Sequence, residues 1–311
     1  MQNTRSARPD TAPKKGRAHD KPAQVIEELR PGQSIELLKE LHILTREGKL
    51  NQDTRRKLKQ VYHLYQFIEP LLDTVFTPGA AAPSLADHGA GKSYLGFILY
   101  DLFFNVAHAG ETPQERPGHI YGIETRAELV DRSRELATRL GFDRMSFLNL
   151  SVQEATTSDE LPARVDIVTA LHACDTATDD AIAFGLAKQA RHMVLVPCCQ
   201  AEVAGVLKRS RALSLTKTPL AELWRHPLHT REFGSQITNV LRCLQLEANG
   251  YAVTVTELVG WEHSMKNELI LASRPQTVSA TKTEAAQARL KEVLTELGLG
   301  ELTARFAAPA H

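Results

Sequence analysis

The chain has 311 residues, long enough for one large domain with appendages or for two domains. Lys plus Arg and Asp plus Glu both number 37, so the formal net charge is zero and no global basicity marks a nucleic-acid partner; basic patches have to be sought locally. No apolar run reaches membrane-spanning length, no apolar signal core opens the chain, and four cysteines lack the spacing of a secreted scaffold, so a reducing cytoplasm and no membrane partner are expected.

Residues 1–22 are rich in Lys, Arg, Pro, Ala and Thr without apolar periodicity, and read as a disordered basic tail. Residues 23–80 form an N-terminal helical region. Val25, Ile26 and Leu29 open it, and Ile35, Leu37, Leu38, Leu41 and Leu44 recur at three- and four-residue steps. After the break at Gly48-Lys49-Leu50-Asn51, the stripe from Leu58 to Val75 predicts roughly six helical turns, with a possible kink at Pro70. Arg46, Lys49, Arg55, Arg56, Lys57 and Lys59 mark either a solvated face or a contact with phosphate backbone.

Over 81–275, short apolar strands alternate with helices. Ser84 to His88 is followed by an almost wholly apolar helix from Tyr94 to about Ala107, which must be buried. A surface loop spans 108–118. His119 to Glu124 is a second strand, and its helix from Ala127 to Leu140 stops at Gly141. Met145 to Leu150, Val165 to Leu171 and His192 to Val196 are the third to fifth strands, with a helix from about Thr178 to Gln189 before the last of them. This alternation predicts a parallel sheet. A basic stretch over 208–231, a helix from about Phe233 to Ala248, and two strands, Tyr251 to Val259 and Glu268 to Ser273, come next. Residues 276–311 are a linker and a terminal amphipathic helix.

The stretch Ala86-Asp87-His88-Gly89-Ala90-Gly91-Lys92-Ser93 admits two readings. Ala86-x-x-x-x-Gly91-Lys92-Ser93 fits a phosphate loop except at its first glycine. Asp87-x-Gly89-x-Gly91 fits a turn that cradles an adenosyl cofactor. Asp87 would repel a triphosphate, whereas Glu124, ending the next strand, suits the two hydroxyls of an adenosine ribose. The strand-loop-strand ending favours the adenosyl reading as well.

With those residues laid out, the chain resembles the class I S-adenosylmethionine methyltransferases. Asp87-His88-Gly89-Ala90-Gly91 looks like their first motif and Glu124 like their second-strand acid. Leu171-His172-Ala173-Cys174-Asp175 with Pro197-Cys198-Cys199 is similar to the subgroup that includes the eukaryotic tRNA acceptor-stem 2′-O-methyltransferase. Two departures are Ser93, where many relatives have a third glycine, and Gln200-Ala201-Glu202, where the tRNA enzyme has a Cys-His cluster. The resemblance implies an α/β, Rossmann-like sheet, mostly parallel and seven-stranded with an antiparallel last strand, between a helical cap and a C-terminal helix. It implies S-adenosyl-L-methionine as cofactor, held by Asp87, His88, Gly89, Ala90, Gly91, Glu124, Ser151, Val152 and Leu171.

The fourth and fifth strands are neighbours in such a sheet, so His172, Cys174, Asp175, Cys198 and Cys199 are the acceptor-side candidates at their carboxyl ends. His172 and Asp175 can orient the acceptor, with His172 also suited to act as a base. A cysteine thiolate can attack a pyrimidine. A thiol-imidazole zinc site ranks third, because no C-x-x-C pair supports it, and no metal is expected. The acceptor the family suggests is RNA, with basic residues in 46–59 and 208–231 flanking that edge. A small molecule or protein acceptor, a cofactor-binding module without catalysis, and a phosphate-loop nucleotide-binding protein are the alternatives.

Overall fold

The computed structural model describes residues 28–91, 94–171, 175–197, 200–210, 218–258 and 268–307. The chain divides into a unit of Met1–Arg30 and one of Pro31–His311, and the second holds the fold.

Strands that are apolar on both faces need cover on both faces, and the central sheet has this character. Strand β1 (Ser84–His88) is buried at every residue, and β4 (Ile167–Leu171) and β5 (His192–Val196) are nearly so. With β2 (His119–Glu124), β3 (Met145–Asn149), β6 (Ala252–Glu257) and β7 (Glu268–Ser273), they form one sheet in the order β3-β2-β1-β4-β5-β7-β6. The first five strands run parallel, and β7 is antiparallel to both β5 and β6. This is the seven-stranded arrangement expected from the sequence. The strand order reverses between β1 and β4, which opens a crevice at their carboxyl ends, where ligands of open α/β sheets bind.

The helical cap is built on a long amphipathic element. Helix α2 (Gln52–Val75) starts at Asn51, whose side chain accepts from the Thr54 amide while Thr54 Oγ1 accepts from the Asn51 amide. Its inner face is Leu58, Val61, Leu64, Tyr65, Ile68, Leu72 and Val75, and it continues through Pro70. Helix α1 (Ile35–Glu40) is fastened to the sheet layer by a buried acid. Asp101 accepts from the Ser34 amide at 3.2 and 3.1 Å and from Asn105 Nδ2 at 3.1 Å. Asp101 lies where α3 (Tyr94–Tyr100) widens into a π-helical segment, Asp101–Ala107. The sequence predicts an uninterrupted helix there. Apolar periodicity does not register such a change of winding.

Helix α4 (Ala127–Leu140) ends at Gly141 in the left-handed conformation, φ 68°, as the glycine predicts. The sequence pattern does not disclose α5 (Val152–Thr157) or α7 (Glu202–Ser210), and α8 (Pro227–Ala248) starts six residues before Phe233, with Pro227 in its first turn. Helix α9 (Ala280–Glu296) buries Leu290 and Leu294 against Val203 and Leu207 of α7 and Leu241 and Leu244 of α8. Helices α7 and α8 approach closely at Gly234, where an added Cβ would lie 2.6 Å from Ala204 Cβ. Among the described residues, no helix is long and apolar enough to cross a membrane.

Beneath the carboxyl edge lies a buried ion pair between α8 and α6 (Ala177–Ala187). Arg242, fully buried, donates from Nε to Asp179 Oδ1 at 2.7 Å and from Nη2 to Oδ2 at 2.9 Å. Nη1 reaches Asn239 Oδ1 at 3.1 Å, and Nη2 reaches the Asp175 carbonyl at 2.9 Å. Removing one partner of such a pair strands a buried charge, at roughly 3–5 kcal/mol. Arg242→Ala is therefore expected to lower the unfolding free energy by about that amount in urea titration. A loss under about 1 kcal/mol would show that water already reaches the pair.

Candidate functional site at the carboxyl edge

The crevice between β1 and β4 is a cavity of about 510 Å³, within the range of small-molecule sites. Its floor is the strand-turn-helix stretch singled out from the sequence: Asp87, Gly89, Ala90, Gly91, Tyr94 and Leu95, with Leu171 from the end of β4. Gly89 and Gly91 both adopt the left-handed conformation, φ 65° and 57°, which glycine reaches at little cost. The Ala90 amide donates to the Ile123 carbonyl at 3.0 Å, pinning the turn to β2.

Asp87 is buried and its two oxygens are unequally engaged. Oδ1 accepts from Thr169 Oγ1 at 2.8 Å, and Oδ2 accepts a longer bond from the Gly96 amide at 3.3 Å. Burial pushes its carboxyl up to about 6, against the pull of those two bonds. A buried acid facing a cavity is well matched to a cationic group such as a ligand ammonium.

Glu124 ends β2 beside the same turn. Its Oε2 accepts from the Gly91 amide at 2.8 Å and Arg126 Nη2 at 3.2 Å, while Oε1 accepts from Arg126 N and Nε, both at 3.0 Å. Burial raises this carboxyl, but the Arg126 and Gly91 bonds outweigh it and hold the group below its ordinary value. Arg126 also lines the cavity. A hydroxyl pair that approached Glu124 would have to share its oxygens with that guanidinium or displace it.

Other expected cofactor residues lie elsewhere. His88 points to the opposite face of β1 from Asp87, as alternation along a strand requires, and its ring lies 5.7 Å from that of Phe184 in α6. Both ring nitrogens are buried without a partner, and burial pushes the imidazole down to about 4 against the upward pull of Glu124. Ser151 caps α5, exchanging bonds with Glu154: its amide donates to Glu154 Oε2 at 2.8 Å and its Oγ accepts from the Glu154 amide at 3.3 Å. Val152 packs on the sheet core. Neither Ser151, Val152 nor His88 lines the cavity.

Of the acceptor-side candidates, His172, Cys174, Cys198 and Cys199 lie outside the described residues. Asp175 adopts φ 52°, an uncommon left-handed conformation for aspartate. Its Oδ1 accepts from the amides of Ala201 and Glu202 at 3.1 and 3.4 Å, at the start of α7. Its carbonyl accepts from Gln200 Nε2 at 2.7 Å as well as from Arg242. Asp175 thus ties the segment after β4 to the segment after β5. Among the described residues, no cluster of His, Cys, Asp and Glu is placed to hold a metal.

The opposite wall comes from the cap: Leu41, His42, Lys57, Gln60, Val61 and Leu64, with Ile98 of α3. Periodicity identifies Val61 and Leu64 as inward-facing, but it does not say that they face a cavity. Lys57 belongs to the basic run noted in the sequence.

A family model described as a methyltransferase domain matches residues 56–206, from the second turn of α2 through most of α7. Over that span, just under half of the chain, the sequence is similar to a methyltransferase domain. Solved structures similar to the chain include an rRNA methylase from Streptococcus thermophilus, 7% identical, covering 68% of this chain and 95% of that one with a TM-score of 0.40. Another is magnesium protoporphyrin IX methyltransferase from Synechocystis with bound SAH, 14% identical, covering 77% and 93%, TM-score 0.41. A SAM-dependent methyltransferase from Aquifex aeolicus is 15% identical, covering 72% and 97%, TM-score 0.36. No curated protein matches the chain.

The cavity offers one feature suited to a ligand that carries an ammonium group: a buried carboxylate, Asp87, beside two left-handed glycines. If Asp87 holds the cofactor's ammonium, binding requires its ionised form, which predominates above about pH 6 and is lost as pH falls through that value. S-adenosylhomocysteine affinity in calorimetry should therefore drop between pH 7 and 5. In Asp87→Asn, affinity should be roughly 10- to 100-fold weaker at pH 8 and flat over that interval. A wild-type profile that is flat from pH 7 to 5 would remove Asp87 from the ammonium site.

Proposed function

We propose that the protein methylates RNA with S-adenosylmethionine as methyl donor. The observation that carries this reading is the position of the basic run on α2. Lys57 lines the cavity, while Arg46, Lys49, Arg55 and Lys59 are exposed nearby in the cap sequence. In this reading Lys57 supplies a cation at the cavity, and its exposed basic neighbours in sequence add positive charge to the cap, on which an acceptor strand could run. In the other basic stretch, 208–231, the described arginines are paired: Arg209 with Glu301, Arg225 with Glu222 and Arg231 with Glu232. That stretch supports the reading less.

In this reading the cofactor provides an electrophilic methyl group, and the protein mostly aligns the acceptor with it. Asp87 takes the ammonium and the Gly89-Ala90-Gly91 backbone lies against the cofactor. Glu124 takes the ribose hydroxyls once Arg126 yields its oxygens. Leu171 borders the site where donor and acceptor meet. His172 orients the acceptor and serves as base where the target oxygen or nitrogen carries a proton. Asp175 contributes by holding the segment after β4, and the cysteines stand second, as nucleophiles toward a pyrimidine.

Incubation with tritiated S-adenosylmethionine and separated RNA, protein and metabolite fractions is expected to label RNA. Label confined to protein or small molecules would replace RNA with that acceptor. The pair Lys49→Glu and Lys59→Glu should raise the KM for the RNA about tenfold or more and make it less salt-dependent. The dissociation constant of S-adenosylhomocysteine should stay as in the wild type.

A further inference from the structure

At the amino edge of the sheet, on the side away from the methyltransferase crevice, Arg164, Arg191 and Arg274 line one open cavity of about 420 Å³. Thr74, Gln189, His192 and Gln276 complete its polar wall. All three arginines are exposed, and none has a carboxylate partner among the described residues. Elsewhere on this neutral chain, Arg116, Arg139, Arg209, Arg289 and Arg305 each meet an acid.

Two of the three face each other directly. In the antiparallel pairing of β5 with β7, His192 opposes Ser273, so Arg191 and Arg274 are the next pair along the ladder, and the Arg274 amide donates to the Arg191 carbonyl at 2.8 Å. Like charges opposite one another across a strand pair are destabilising. The nearest acid in the ladder forms no ion pair with either arginine. Asp166 turns its Oδ2 to the Ser84 amide of β1 at 3.0 Å and offers only its carbonyl to the amides of Arg191 and His192, both at 2.9 Å. Arg164 joins from the segment before β4, and both it and Arg274 act electrostatically on the same Tyr251 phenol. His192 shares a 2.8 Å bond with Ser273 Oγ, and burial, with Arg191, lowers its imidazole against the upward pull of Asp166, so it adds a neutral polar group.

We infer that this cavity is an anion site for phosphate oxygens, in which the three guanidiniums together hold a phosphodiester backbone or a free phosphate compound. Planar guanidiniums bind phosphate through paired N–H groups, which suits an open cavity walled by three of them. A bound phosphate also removes the repulsion between Arg191 and Arg274. The inference is independent of methyl transfer and of the RNA reading, since it rests on the opposite edge of the sheet.

The test uses the full chain and the triple variant Arg164→Gln, Arg191→Gln, Arg274→Gln. Anisotropy of a fluorescein-labelled RNA hairpin across a salt series is read beside thermal shifts with inorganic phosphate and pyrophosphate, and S-adenosylhomocysteine calorimetry reports the remote site. For an RNA ligand, the variant should bind the hairpin about tenfold or more weakly, with a log K against log salt slope shallower by about 2. For a free phosphate compound, phosphate or pyrophosphate should raise the melting temperature of the wild type and not of the variant, while hairpin binding is the same in both. S-adenosylhomocysteine affinity should be unchanged in either case. Arg274→Gln alone, without any anion, should melt no lower than the wild type, because it removes a repulsion. Equal responses of wild type and triple variant to the hairpin and to both phosphates would overturn the inference. So would a clear fall in the melting temperature of Arg274→Gln.

Discussion

Arg242 is a guanidinium with no exposed surface, and four bonds from it run to three residues, Asp179, Asn239 and Asp175. A buried charge is tolerated only where it is answered by an opposite charge and its donors are met. Asp179 answers the charge from α6, and Asn239 takes a bond within α8. The Asp175 carbonyl takes the last, bringing in the segment after β4. Asn239 in turn donates to Glu268 at the start of β7, at 2.7 Å. Through Gln200 and the α7 amides, Asp175 reaches the segment after β5. The segments beyond β4 and β5 and the start of β7 are therefore held, in their described residues, by one polar network below the carboxyl edge. A sheet supplies the direction of its strands, and this network anchors the chain where it leaves them.

The two edges of the sheet differ in their electrostatics. At the carboxyl edge, acids are buried and individually managed: Asp87 is raised toward neutrality, and Glu124 is kept ionised by Arg126. At the amino edge, three arginines stand exposed, with no carboxylate partner among the described residues. A chain of zero formal net charge can carry both because charge balance over the whole says nothing of its distribution.

Much of the sheet was legible because its signals are local. Ser84–His88 and His119–Glu124 are short apolar runs ending in polar residues, and Gly141 closes α4 where a glycine would. The last strand pair was legible from its separation from any crossover helix. What escaped depended on partners distant in sequence. Helix α7 is short and begins where an aspartate 26 residues earlier caps it, so its start signal is not local. His88 sits within the recognised motif, yet strand alternation sends it to the Phe184 side, away from the cavity. Lys57 reads only as part of a basic run that is either solvated or in contact with phosphate, and His42 carries no signal at all, because only the packing of the cap makes them a cavity wall. The Arg126–Glu124 pairing was equally hidden, since a basic residue after a strand-end acid is unremarkable in sequence.

Gly234 gives the packing of α7 and α8 a mechanical meaning. With Ala204 where a side chain at 234 would have to stand, the two helices meet almost backbone to backbone, leaving no compressible layer between them. Side chains at an ordinary helix contact can re-pack and absorb a shift of one helix, but a contact of this kind has little slack. Displacement of α8 is therefore passed to α7 nearly undiminished, and from the first turn of α7 to Asp175. The glycine acts as a rigid coupling: it makes the outer helical layer and the strand ends move as one piece.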